Sequence, residues 1–125
     1  MCRLLVLDGA KRERRLVADH ALRLCDTVEE VPDSKAAAKA LRRNGRLPDL
    51  IVAALDAEAP DAIEVLRLRR ALSLSMPVLL IVGPNAEVLV PRARSLGVQS
   101  FVSKPLGDGA LDRTLRAAVD ELRHE

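Results

Sequence analysis

Aromatic residues are almost missing from this chain: Phe101 is the single Phe, and there is no Trp or Tyr. The core must therefore be aliphatic, and stacking of bases on aromatic side chains, the usual platform for single-stranded nucleic acid, is excluded. Charge of one sign is also lacking. Twenty basic and 18 acidic residues leave a net charge of +2, too balanced for a protein held on nucleic acid by phosphate contacts. The arginines fall in scattered groups (Arg12, Arg14, Arg15; Arg42, Arg43, Arg46; Arg67, Arg69, Arg70) that read as solvated helix faces and helix C-termini. Cysteine is limited to Cys2 and Cys25, without CxxC spacing, so neither a zinc site nor a redox motif is indicated. No apolar run reaches membrane-spanning length, and Arg3 and Asp8 interrupt the apolar start that a signal peptide would need. GxGxxG and GxxxxGK[ST] are both absent, which removes the support for nucleotide binding. The expectation is a cytoplasmic protein with no nucleic-acid or membrane partner.

What is present is a regular alternation. The 125 residues suit one domain, expected to span 1–125, and about two thirds of the unfolded surface of such a chain is buried on folding. Short apolar runs read as strands at 3–8 (RLLVLD), 27–31 (TVEEV), 49–55, 77–82 (PVLLIV) and 99–103 (QSFVS). Helical patterns separate them. The first covers 11–25, with Leu16, Val17, Ala21 and Leu24 on one face. The second follows Pro32-Asp33-Ser34, with Ser34 as a possible cap, runs to about Asn44 and stops at Gly45. The third opens at Pro60-Asp61 and ends near Ser73. A weaker one covers 86–96, either starting late at Pro91 or kinked there, and ends at Gly97. The last covers 108–123, with Leu111, Leu115, Ala118 and Leu122 on one stripe.

Strict βα alternation predicts a parallel sheet with right-handed crossovers. Continuously apolar strands predict that helices cover both of its faces. In such α/β sheets the functional crevice lies at the carboxyl ends of the strands. That directs attention to Asp8-Gly9, Ala54 to Asp56, Val82-Gly83 and Ser103-Lys104-Pro105.

These strand ends resemble one family, the receiver domains of two-component response regulators. The stretches LLVLDGA, PDLIV with DAIEVLR, MPVLLIVG and LGVQSFVSKPL resemble, in order and spacing, the family's first, third, fourth and fifth strands with their flanking loops. The resemblance implies a flavodoxin-like (βα)5 three-layer sandwich, with a five-stranded sheet of order 2-1-3-4-5. It also implies a CheY-like role in bacterial signalling, where an aspartate accepts a phosphoryl group from a histidine kinase with the help of magnesium and a lysine.

Carried over residue by residue, the resemblance keeps only part of that apparatus. Asp8 matches the first acid of the family's pair, with capping of the strand end or the first helix as the lesser reading. Gly9 stands where the second, metal-touching acid is expected. Lys104 matches the lysine and Pro105 follows it. Val82 replaces the switch hydroxyl, and Phe101 holds the position of the switch aromatic. The acceptor depends on alignment. Without gaps it is Ala54; with a strand two residues longer and a loop two shorter it is Asp56, and a shift of two preserves the face of every strand residue. The ungapped register is preferred, because Gly9 and Val82 have already lost their groups.

The first expectation is a pseudo-receiver with a degenerate site, not an enzyme, acting through protein partners (a histidine kinase, an adaptor or an effector). Cofactors are expected to be none. Asp8 and Lys104 are expected to remain as an ion pair, and Val82 packed on Phe101 would hold that aromatic inward. The alternative is a phosphoacceptor on Asp56 assisted by Lys104, with magnesium on Asp8 and Asp56. A third reading is a receiver fragment of a longer regulator. Contact is expected through the fourth helix, fifth strand and fifth helix, where Val88, Leu89 and Val90 are candidate exposed residues and a homodimer could form. His20 reads as a packed surface histidine, and His124 as part of a fraying tail.

Overall fold

A computed structural model of the chain describes residues 2–43, 45–106 and 109–123. His124, Asn44 and position 108, where the last helix is expected to start, lie outside them. Five strands, β1 (Arg3–Leu7), β2 (Thr27–Val31), β3 (Leu50–Leu55), β4 (Val78–Val82) and β5 (Ser100–Ser103), form one parallel sheet in the order β2-β1-β3-β4-β5. Five helices alternate with them: α1 (Lys11–Ala21), α2 (Ser34–Arg42), α3 (Asp61–Ala71), α4 (Val90–Ser95) and α5 (Ala110–Arg123). The flavodoxin-like order 2-1-3-4-5 is thus the observed one.

The two-residue period of the strands divides the core. Leu5, Leu7, Ile51, Ala53, Leu55, Leu80 and Val82 face α2, α3 and α4. Leu4, Val6, Leu50, Val52, Leu79 and Ile81 face α1 and α5, where they meet Val17, Ala18, Leu111, Leu115 and Val119. Both faces are dry, which is why these strands read as continuous apolar runs. β2 is the exception. It lies at the sheet edge, and its Glu29 and Glu30 pair with Arg43 after α2 and with Arg14 and Arg15 of α1.

Several helix expectations need correction. α1 ends at Ala21 and not at 25, because Arg23 N–H and Leu24 N–H turn back to His20 and Ala21 oxygens in a tighter turn. Leu16 is exposed, and Ala18 is buried in its stead. α1 presses a small residue on the sheet, a choice that hydrophobicity alone does not reveal. Asp33, not Ser34, caps α2: its carboxylate accepts from Ala36 N–H at 2.8 Å. α2 stops at Arg42, with Arg43 already extended. α4 does start late: a 3-10 turn over Glu87–Leu89 precedes it, and Pro91 sits in its first turn, where a missing N–H costs nothing. Gly97, at φ +97°, ends α4 through paired bonds from Gly97 N–H to Arg94 O and from Val98 N–H to Ala93 O. Ser73 does the same for α3 at φ 55°, without glycine's freedom.

The two cysteines, whose spacing indicates no zinc site or redox motif, are joined. A disulfide links Cys2, just before β1, to Cys25, just before β2, with their Cα atoms 4.8 Å apart. Parallel pairing of β1 with β2 brings the two strand starts side by side, so residues 23 apart in sequence become neighbours.

Candidate functional site

The carboxyl ends of β1, β3, β4 and β5 surround a crevice of about 180 Å³. Asp8, Gly9, Ala54, Asp56 and Lys104 line it, as the strand-end argument required. Val82 and Phe101 do not. Val82 is buried on the opposite sheet face, and Phe101 is partly buried against that same cluster, so the two belong to one packed layer. The Arg94 guanidinium lies over the Phe101 ring, 4.8 Å from its centre.

Asp8 is the one buried charged or polar residue among those described. It follows β1 directly, and its carboxylate accepts from Ala10 N–H at 2.8 Å, closing the turn into α1. Its backbone oxygen accepts from the Arg14 guanidinium at 2.8 Å. Burial pushes the Asp8 carboxyl above its usual value; the Ala10 N–H, Lys104 and Arg14 pull it back, and Glu13 adds to the upward push. The fold therefore keeps an acid here at some electrostatic cost.

Lys104 does not pair with Asp8. Its ammonium binds the carboxylate of Glu13, in the first turn of α1. The expected Asp8–Lys104 pair is corrected on that point: Asp8 is spent on the backbone, and Glu13 reaches the lysine first. Glu13 is the crevice residue that sequence reading missed. Its signal was available, since a helix that opens three residues after a strand end carries its first-turn side chains over that end. Asp61 also lines the crevice and was read only as a helix start; its carboxylate accepts from Ser34 N–H at 2.8 Å and ties α3 to α2.

The two acceptor candidates occupy different levels. Leu7 pairs with Ala53 across β1 and β3, so the next step along both strands sets Asp8 beside Ala54. Asp56 lies two residues, about 6–7 Å, further on. It is exposed, outside β3, and its carboxylate accepts from Glu58 N–H at 3.0 Å within its own turn. At Gly9 an added Cβ would meet nothing closer than Pro32 O at 3.7 Å, so the missing second acid is not a matter of space.

Magnesium needs near-octahedral oxygen ligands drawn from carboxylates and water. Asp8 offers a carboxylate already bonded to the backbone, Gly9 and Ala54 offer no side-chain oxygen, Asp56 is turned into its loop, Glu13 is held by Lys104 and Asp61 by Ser34 N–H. Among the described residues no group of three or more His, Cys, Asp or Glu is arranged to hold a metal ion. This donor set does not fit the cation. His20 is away from the crevice, partly buried, with its Nδ1 buried and without a hydrogen-bond partner among the described residues.

The sheet order and the strand-end crevice define the class of fold: it is that of response regulator receiver domains. The receiver domain of the Francisella response regulator 1452 superposes with a TM-score of 0.78 at 20% identity, covering 100% of both chains. The signal receiver domain of an HD domain-containing protein from Pseudomonas fluorescens gives a TM-score of 0.81 at 23% identity, over 99% of this chain and 98% of that one. The bacteriophytochrome response regulator RtBRR gives 0.73 at 26% identity, over 98% and 78%. No family model and no curated protein matches the sequence. No helix among the described residues is long and apolar enough to cross a membrane.

Proposed function

We propose that this chain is a pseudo-receiver of bacterial two-component-type signalling, cytoplasmic, without enzymatic activity or a magnesium cofactor, which works by protein contact. The observation that carries the reading is the level of Ala54. A methyl group stands beside Asp8 where an acceptor carboxylate would stand, while Lys104 already holds a carboxylate from its own chain. Phosphoryl transfer to a carboxylate rests on positioning and charge neutralisation, and a lysine already engaged by Glu13 supplies less of either. Partners of the histidine kinase, adaptor or effector kind would meet the face built by α4, β5 and α5. Of the three apolar candidates there, Val88 is 79% exposed, whereas Leu89 and Val90 pack partly on the core. A homodimer through this face belongs to the same reading, as does service as the receiver part of a longer regulator.

A second reading uses Asp56 as the acceptor, assisted by Lys104. Asp56 favours it by lining the same crevice as Ala54. Incubation with acetyl phosphate and magnesium, followed by intact mass measurement, separates the two. An unchanged mass is expected. Gain of one phosphoryl group that Asp56→Ala abolishes would replace the first reading by the second.

A further inference from the structure

We propose that Cys2 and Cys25 are a reversible thiol–disulfide site, a redox-responsive brace at the pole of the sheet opposite the crevice. Three observations combine. The first is reach: the Cα separation of 4.8 Å lies within the range a disulfide spans, so closing it asks for no backbone movement. The second is access. Cys25 is buried, 6% exposed, whereas Cys2 is only partly buried, so Cys2 is the residue of the pair that solvent reaches.

The third is that the junction does not depend on the bond. Cys2 O accepts from Asp26 N–H and Thr27 N–H, and Cys2 N–H donates to the Asp26 carboxylate at 2.8 Å. Asp49 N–H and carboxylate hold the backbone of Arg3, the next residue. With β1 paired on both sides besides, the fold holds its strand starts with or without the sulfur link. A switch requires two folded states, and these backbone and carboxylate bonds are what would hold the reduced one together.

The oxidant is a low-molecular-weight disulfide. The Cys2 thiolate attacks one of its sulfurs and expels one small thiolate, leaving a mixed disulfide on Cys2. The Cys25 thiolate then attacks the Cys2 sulfur and expels the second small thiolate. Two protein thiols are oxidised, one small disulfide is reduced to two thiols, and the two protons leave the cysteines for them. Closure ties the start of β1 to the end of the α1–β2 connection.

The test equilibrates the full folded chain with mixtures of reduced and oxidised glutathione, quenches with acid, alkylates free thiols and weighs the protein. A single two-electron transition between no alkylated thiol and two is expected. The oxidised form should melt about 10–15 °C above the reduced form, from the loop of this length that the bond closes. Cys2→Ser, which leaves the buried Cys25 in place, should show no redox dependence of melting. A bond that survives excess reduced glutathione in the folded protein makes the link a permanent staple and overturns the proposal. A chain that remains reduced, or stops at the mixed disulfide, under excess oxidised glutathione overturns it as well. Equal melting of the two wild-type forms removes the brace.

Discussion

Replacing Ala54 by Asp tests the register on which the functional reading stands. If Ala54 lies beside Asp8, the new carboxylate comes within about 5 Å of a buried one, since neighbouring strands run about 4.8 Å apart. At an effective dielectric of about 20, two unit charges at that distance repel by about 3 kcal/mol. Lys104 and a shared proton relieve part of this, and the net loss expected is about 1–2 kcal/mol. For a chain of this size that lowers the melting temperature by about 4–8 °C. The loss must grow with pH, because each carboxylate raises the other's pKa and the repulsion exists only when both are ionised. Adding Gly9→Asp, for which the backbone leaves room, completes an acidic trio. Millimolar magnesium should then raise the melting temperature of the double variant and leave that of the wild type unchanged. The assay is thermal unfolding at low ionic strength, at pH 5 and pH 8, with and without magnesium. An Ala54→Asp chain that melts like the wild type at both pH values would refute the placement of Ala54 beside Asp8. A wild type stabilised as much as the double variant would refute the claim that its donors do not fit the cation.

Three further outcomes follow from the same structure. Asp8→Asn keeps an oxygen for Ala10 N–H while removing a buried charge. Because the folded carboxyl titrates above its usual value, Asp8 favours the fold when protonated and that contribution is lost as pH rises through the folded pKa; the variant should therefore be more stable than wild type at pH 7, by denaturant unfolding, with the gain shrinking as pH falls toward the ordinary carboxylate range. Ser73→Gly, at a left-handed position, should stabilise by about 0.5–1 kcal/mol in urea melts, and Ser73→Ala should not. Leu80→Ala, in the fully buried centre of β4, should cost about 2–5 kcal/mol in the same assay, whereas Leu16→Ala, on the exposed side of α1, should cost under about 0.5 kcal/mol.

The legible part of the sequence was the part governed by period. β2 is Thr27–Val31 as read, and the other strands differ from their readings by a residue or so, because double burial leaves an apolar run bounded by turn residues. The strand ends then located Asp8, Gly9, Ala54, Asp56 and Lys104 around one crevice. What escaped depends on three-dimensional approach. Glu13 in a first helical turn has an ordinary local explanation in the helix dipole, and only the distance to β5 makes it the partner of Lys104. Ala18 displaces Leu16 from the sheet because closeness of packing, not hydrophobicity, selects the small residue. Val82 and Phe101 align with functional positions in sequence, yet parity puts them in a different layer from the crevice. The cysteine pair is set by strand adjacency, which their spacing does not encode.

The acids of β2 bear on something other than the crevice. An open parallel sheet ends in unpaired N–H and C=O groups, and a second copy can continue the ladder there. On this margin Glu29 is clasped by Arg43, and Glu30 by Arg14 and Arg15. A strand arriving alongside would lay its own side chains next to these charged pairs above and below the sheet. At the other margin β5 offers only four residues. Growth of the sheet from molecule to molecule is therefore opposed at both margins, which leaves the helices as the surfaces for contact.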